Sequence, residues 1–146
     1  MAKKTDNKKR TTINIDKEDF FMYQELIASD YFKNNLHLFT CAVFIGKYIV
    51  KKPTAIKSSR GYIRPNDNRN DDNLTILKSF AISENNDVNI LNNEEDLYSF
   101  CEKYARTGIQ ELYCWYTDNS YDFDVILAEK LLEAWGQIDL SMLDES

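Results

Sequence analysis

The sequence predicts a mainly α fold: a compact helical domain over residues 11–146 with a short N-terminal β-strand in ribbon-helix-helix-like order and a long basic loop. Three observations predict it. Apolar residues recur at helical spacing in five separate segments, strand-like alternation is strongest at Thr11–Ile15, and Lys51–Asn73 is a polar tract with few apolar positions.

Met1–Arg10 is polar, charged and aperiodic, which predicts a disordered basic arm. Thr11-Thr12-Ile13-Asn14-Ile15 then alternates polar with β-branched apolar residues, the pattern of a strand. Asp16 is placed to cap a helix, with Asp19 three residues on in the position of a capping-box acid. In Lys17–Tyr31, Phe20, Tyr23 and Ile27 share one helical face, which Phe21 and Leu26 widen. Asn35 starts a second helix that is apolar on nearly every side from Leu36 to Ile49 and therefore has to be buried, in the domain or at a subunit interface. Gly46 costs about 1 kcal/mol inside a helix. Its presence predicts either a close backbone neighbour or the helix end, and Pro53 forbids much continuation.

Lys51–Asn73 reads as a long exposed loop with a short strand near Gly61–Arg64. Helix resumes at Asp71 or Asp72, with Leu74, Leu77, Phe80 and Ala81 at helical spacing, and Asn85–Asn93 is a polar link. Asn93 caps the next helix, where Glu94, Glu95 and Asp96 suit the positive end of the helix dipole. Its buried face is Leu97, Phe100, Cys101 and Tyr104, and Gly108 fits a left-handed C-cap. After an aromatic patch at Leu112–Tyr116, a last helix runs from about Ser120 to Trp135, with Phe123, Ile126, Leu127, Leu131 and Trp135 inward.

Charge is distributed unevenly. Residues 1–70 hold fourteen Lys and Arg against seven Asp and Glu, and residues 71–146 hold four against seventeen, so the halves carry +7 and −13 within a net −6. Polyanions respond to local potential, so the overall acidity does not exclude nucleic acid. Lys47, Lys51, Lys52, Lys57, Arg60, Arg64 and Arg69 surround the single acid Asp67, and Tyr62 offers a face on which a base could stack. That stretch reads as a DNA surface, with an acidic protein partner or a plain solvated loop as the alternatives. Lys9 and Arg10 would add phosphate contacts. If the strand paired across a homodimer as in a ribbon-helix-helix regulator, Thr12 and Asn14 would read bases; otherwise Ile13 and Ile15 tie the N-terminus to the chain's own sheet or helices. Glu94, Glu95 and Asp96, with Tyr113, Trp115 and Tyr116, form the candidate protein-partner surface. The DNA reading depends on those acids not folding against Lys51 and Lys52.

Catalysis finds little support. His37 is the lone histidine, on an apolar helix without a Ser or Cys partner, and reads as structural. Caps and solvated faces account for the acids at Asp67, Asp71, Asp72, Glu94–Asp96 and Glu102-Lys103, while Asp118, Asp122 and Asp124 lack the Gly and terminal Glu of a calcium loop. No metal or cofactor is expected. Cys41, Cys101 and Cys114 are odd in number and flanked by apolar or aromatic residues, as reduced core cysteines are. No stretch approaches the ~20 apolar residues of a membrane span, so a soluble cytoplasmic protein is expected.

The run Asp16-Lys17-Glu18-Asp19, Tyr23, Leu26, Tyr31-Phe32-Lys33, Leu38-Phe39-Thr40-Cys41-Ala42 and Gly46-Lys47 resembles the small bacterial family called dnd system-associated protein 4. Asn93-Glu94-Glu95-Asp96 and Tyr104-Ala105-Arg106-Thr107-Gly108-Ile109 are similar to that family's Glu-rich helix and its Tyr-Ala-x-x-Gly-Ile turn, so the likeness spans about residues 15–116 and leaves out the tail from Tyr121. The resemblance implies a non-catalytic accessory protein of an anti-phage DNA modification and restriction system. Such a protein would join DNA to a larger helicase or nuclease. A purely structural subunit and a ribbon-helix-helix transcriptional regulator are the other expectations.

Overall fold

The computed structural model describes residues 9–68, 71–118 and 122–144, with side chains up to Gly136. The chain is mainly α. Its elements are β1 (Ile13–Asp16), α1 (Phe20–Ala28), α2 (Asn35–Phe44), β2 (Ser59–Ile63), α3 (Asp72–Asn85), α4 (Glu94–Asp118) and α5 (Phe123–Asp144). The arm expected at residues 1–10 lies outside the described residues up to Lys8, whereas Lys9 and Arg10 are described and reach α4.

α4 is the central element, packing on α1, α2, α3, α5 and β1. Leu97, Cys101, Ala105, Ile109 and Leu112 give it a buried stripe. Leu38, Phe39 and Ala42 meet that stripe from α2, joined by Ile45 just after it, and Leu74, Leu77 and Ala81 cover it from α3. Each Leu, Ile or Phe among them contributes about 1.5–3 kcal/mol on burial.

Gly46 does bring a backbone close. α2 runs on into one π-helical segment, Ile45–Val50, and Gly46 lies where that segment crosses α4, so that a Cβ there would overlap the Tyr104 carbonyl oxygen. Gly108 is the other half of the crossing, and the C-cap expected there is corrected. α4 continues through it to Asp118, and a Cβ on Gly108 would run into the Ala42 carbonyl oxygen. The glycine serves close helix approach, not helix termination. Lys51, at φ 64°, closes the π-helical segment in the left-handed region, with its N–H donating to the Gly46 carbonyl at 2.8 Å.

β1 pairs with β2 of the same chain, antiparallel, with Ile15 opposite Arg60 and an irregularity between Ile13 and Asn14. Of the two expectations for this strand, the pairing with the chain's own sheet is the one present. On its other side the Asn14 N–H donates to the Glu102 carboxylate at 2.7 Å, so part of that edge is already covered by α4, and Glu102 is buried against β1 and Arg10 instead of lying on the solvated face expected of it. Asp16 caps as expected, accepting from the Glu18 N–H at 2.9 Å, but the helix it starts is one 3-10 turn leading into α1, and Asp19 is buried instead of closing a capping box. Asn34, not Asn35, caps α2, accepting from the His37 N–H, while Asn93 caps α4 as expected. Four exposures also differ from expectation: Trp135 is 58% and Phe21 47% exposed, Cys114 is exposed and Cys41 only partly buried. Among the described residues of α5 only Phe123 and Ala134 are buried, and Trp135 lies on a more exposed side of the helix.

Candidate nucleic-acid interface

The basic segment is pinned to the helical body. The Thr54 N–H donates to the Lys103 carbonyl at 3.0 Å, Thr107 donates to the Thr54 hydroxyl, and the Arg106 guanidinium donates to the Ala55 carbonyl at 2.7 Å. Further along, the Lys57 and Ser58 N–H groups donate to Asp16, and β2 pairs with β1. The backbone of residues 51–63 therefore has defined partners along much of its length, unlike the free loop that its composition suggests.

The sequence-predicted cations divide into two groups. Lys51, Lys52, Lys57 and Arg64 are exposed on or beside this pinned segment and take part in no ion pair among the described residues. Arg60 also extends from β2, but its guanidinium lies over the Phe20 ring at 3.6 Å from the centroid. The others are committed elsewhere. Lys47 pairs with Glu84 at 2.8 Å, its side chain only 11% exposed. Arg10 is held by α4: its N–H donates to Glu94 at 2.8 Å, and its guanidinium pairs with Glu95 at 3.3 Å and with Glu102. Lys9 reaches Glu94 at 3.8 Å. Arg69 lies outside the described residues.

The candidate base contacts are half-buried and have partners within the fold. The Thr12 hydroxyl donates to the Asn14 side chain at 2.7 Å, and Thr12 stands over Gly61 of β2. The Tyr62 ring packs on Tyr23 at 4.7 Å and its hydroxyl donates to Asn35 at 2.9 Å, while burial pushes the hydroxyl pKa up. This half-buried tyrosine is not an open stacking platform.

The acids proposed as a partner surface do not reach Lys51 or Lys52. Glu94 and Glu95 take Lys9 and Arg10, and Asp96 bonds to its own cap Asn93. Tyr113 donates to Glu25 at 2.9 Å and meets the Phe21 ring edge-on; Tyr116 packs on Phe123; the Trp115 indole donates to Glu111 at 3.1 Å. These aromatics join α4 to α1 and α5. The His37 Nδ1 accepts from the Lys33 N–H at 3.0 Å, with the ring set edge-on to Phe32. Among the described residues no three His, Cys, Asp or Glu come together as a metal site, and no helix is long and apolar enough to cross a membrane.

A buried ionic network under the basic segment escaped the sequence reading. Arg106 of α4 is 5% exposed and faces Asp16 at 3.3 Å, Asp19 at 3.4 Å and Glu18 at 2.8 Å. Burial pushes the Asp16 carboxyl up, but the N–H groups of Glu18, Lys57 and Ser58 and the Arg106 charge outweigh it and hold the pKa below the ordinary value. For Asp19 burial wins over the Gln110 hydrogen bond and Arg106, and its pKa is raised. The clue was available in the spacing of Glu102, Arg106 and Gln110, four residues apart, a polar row beside the apolar stripe of α4.

No protein-family model, curated protein or solved structure matches this chain. What the fold and site define is therefore a structural class: a helical body built round α4, carrying an intrachain two-stranded sheet whose second strand is flanked by exposed cations.

Proposed function

We propose that this protein is a non-catalytic accessory subunit of a cytoplasmic bacterial anti-phage defence system, binding DNA through the β2 segment and a larger defence enzyme through its acidic C-terminal half. The observation that carries the DNA reading is the pinned backbone beneath Lys51, Lys52, Lys57 and Arg64. Cations on an ordered scaffold lose less conformational entropy when they meet phosphates than cations on a free loop do. Their contacts would be with the phosphate backbone and would carry no base preference, because Thr12, Asn14 and Tyr62 are occupied within the fold. The defence context rests on the resemblance in residues 15–116.

The test is a fluorescence-anisotropy titration of labelled duplex DNA at low and at physiological salt, with the wild type and with Lys51→Glu/Lys52→Glu/Lys57→Glu/Arg64→Glu. Salt-dependent binding that the folded variant lacks supports the reading. Absence of binding at low salt, or unchanged affinity in the variant, overturns it.

A further inference from the structure

Large apolar side chains rarely stay exposed together on an isolated domain unless something covers them. One such group lies between α2, α3 and α5. α2, α3 and α5 border a groove of about 380 Å³ lined by Thr40, Phe44, Ile76, Phe80, Leu132 and Trp135. Leu132 is 70% exposed, Trp135 58% and Ile76 41%, so the three largest exposed contributors converge on this groove from two helices. None of them belongs to the partner surface expected from the sequence, whose tyrosines and Trp115 are engaged in internal contacts.

We propose that this groove docks a Lys- and Arg-rich amphipathic helix of a protein partner. It deepens the partner-binding half of the proposed function and rests on that reading. The occupant follows from charge. Among the described residues the two outer walls, α3 and α5, hold five Asp and Glu (Asp72, Glu84, Asp124, Glu129, Glu133) against Lys78 and Lys130, with Glu84 paired to Lys47. A second copy seated face to face would bring these like charges together, and a nucleic acid would be repelled. A helix with apolar residues at i, i+3, i+4 and i+7 and basic flanks satisfies both the groove and its walls.

The experiment uses the full chain carrying Trp115→Phe, so that Trp135 alone reports. It is titrated with a synthetic helical peptide of Leu on one face and Lys on the other, and with the same peptide carrying Glu for Lys. The Lys peptide is expected to shift Trp135 emission to the blue and saturate, with the Glu peptide silent. Leu132→Asp should weaken the Lys peptide by about tenfold or more, which is about 1.4 kcal/mol. That variant adds negative charge, so mere electrostatic attraction would instead be strengthened. Unchanged or tighter binding by Leu132→Asp overturns the proposal, as does absence of saturable binding. Concentration-dependent dimerisation in sedimentation, lost in Leu132→Asp, also overturns it by making a second copy the occupant. DNA affinity is read separately, so loss of DNA binding with peptide docking retained would sink the DNA reading alone.

Discussion

Gly46 and Gly108 meet backbone to backbone where the chain after α2 crosses α4: a Cβ on Gly108 would stand 2.9 Å from the Gly46 nitrogen, and one on Gly46 3.2 Å from the Gly108 nitrogen. Neither neighbour is a flexible side chain that could yield. Gly108→Ala should therefore destabilise by about 3 kcal/mol or more, despite the better helix propensity of alanine. Gly136, with open space around its Cβ position, is the control, and Gly136→Ala should be neutral or slightly stabilising in urea denaturation. Equal midpoints for the two variants would count against the crossing.

Arg106 is the cation that the buried Asp16 and Asp19 share. Arg106→Met preserves bulk but leaves those carboxylates without it, so a loss of about 3–5 kcal/mol is expected. Glu18→Gln removes an ion pair of which the glutamate is 68% exposed, and should cost under about 1 kcal/mol. Thermal unfolding of both variants separates these cases, and a mild Arg106→Met would refute the network's structural role.

Glu102 predicts a pH effect of defined sign. Burial raises its pKa more than the Asn14 N–H and Arg10 lower it. A group whose folded pKa lies above its unfolded value contributes stability below the unfolded value, about 4.3 for glutamate, and loses that contribution as pH rises through the folded value. Glu102→Gln cannot ionise. The stability of the variant minus that of the wild type should therefore increase as pH rises above about 4.3, measured by denaturation at a series of pH values. A difference that is flat or declines with pH would contradict this.

The number of available cations predicts the salt dependence of DNA binding. With Lys51, Lys52, Lys57 and Arg64 as phosphate contacts, the slope of log affinity against log salt should be about −3.6, at about 0.9 per contact. Lys47→Gln, which removes a side chain bound to Glu84, should leave that slope unchanged. A slope steeper by two or more units would mean that Arg10 and Lys47 leave their carboxylates to engage DNA.

Thiol reactivity should follow burial. Cys114 is exposed, whereas burial pushes the Cys41 thiol up to about 12 and holds that of Cys101 higher still, next to the Leu77 carbonyl. One rapid maleimide addition, mapped to Cys114 by mass spectrometry, is expected in the native protein. Prompt labelling of Cys101 would place that part of α4 at the surface.

Local patterns carried the mainly α class, the strand at Ile13–Ile15, the caps at Asp16 and Asn93 and the backbone approach at Gly46, because apolar period and side-chain capping act within a few residues. Such patterns also located the basic tract. They did not reveal that Arg10 would be taken by Glu94, Glu95 and Glu102, or that β1 would pair with β2, because these contacts join residues far apart in sequence. Gly108 shows why the two levels differ: a glycine suits a helix end and a helix crossing equally well, and only the presence of Ala42 beside it selects the crossing. Charge is the same case in electrostatic form. The imbalance between the halves is a property of composition, but which cations remain available to a ligand was decided by folding, since a carboxylate brought within 4 Å neutralises a neighbour that local sequence leaves free.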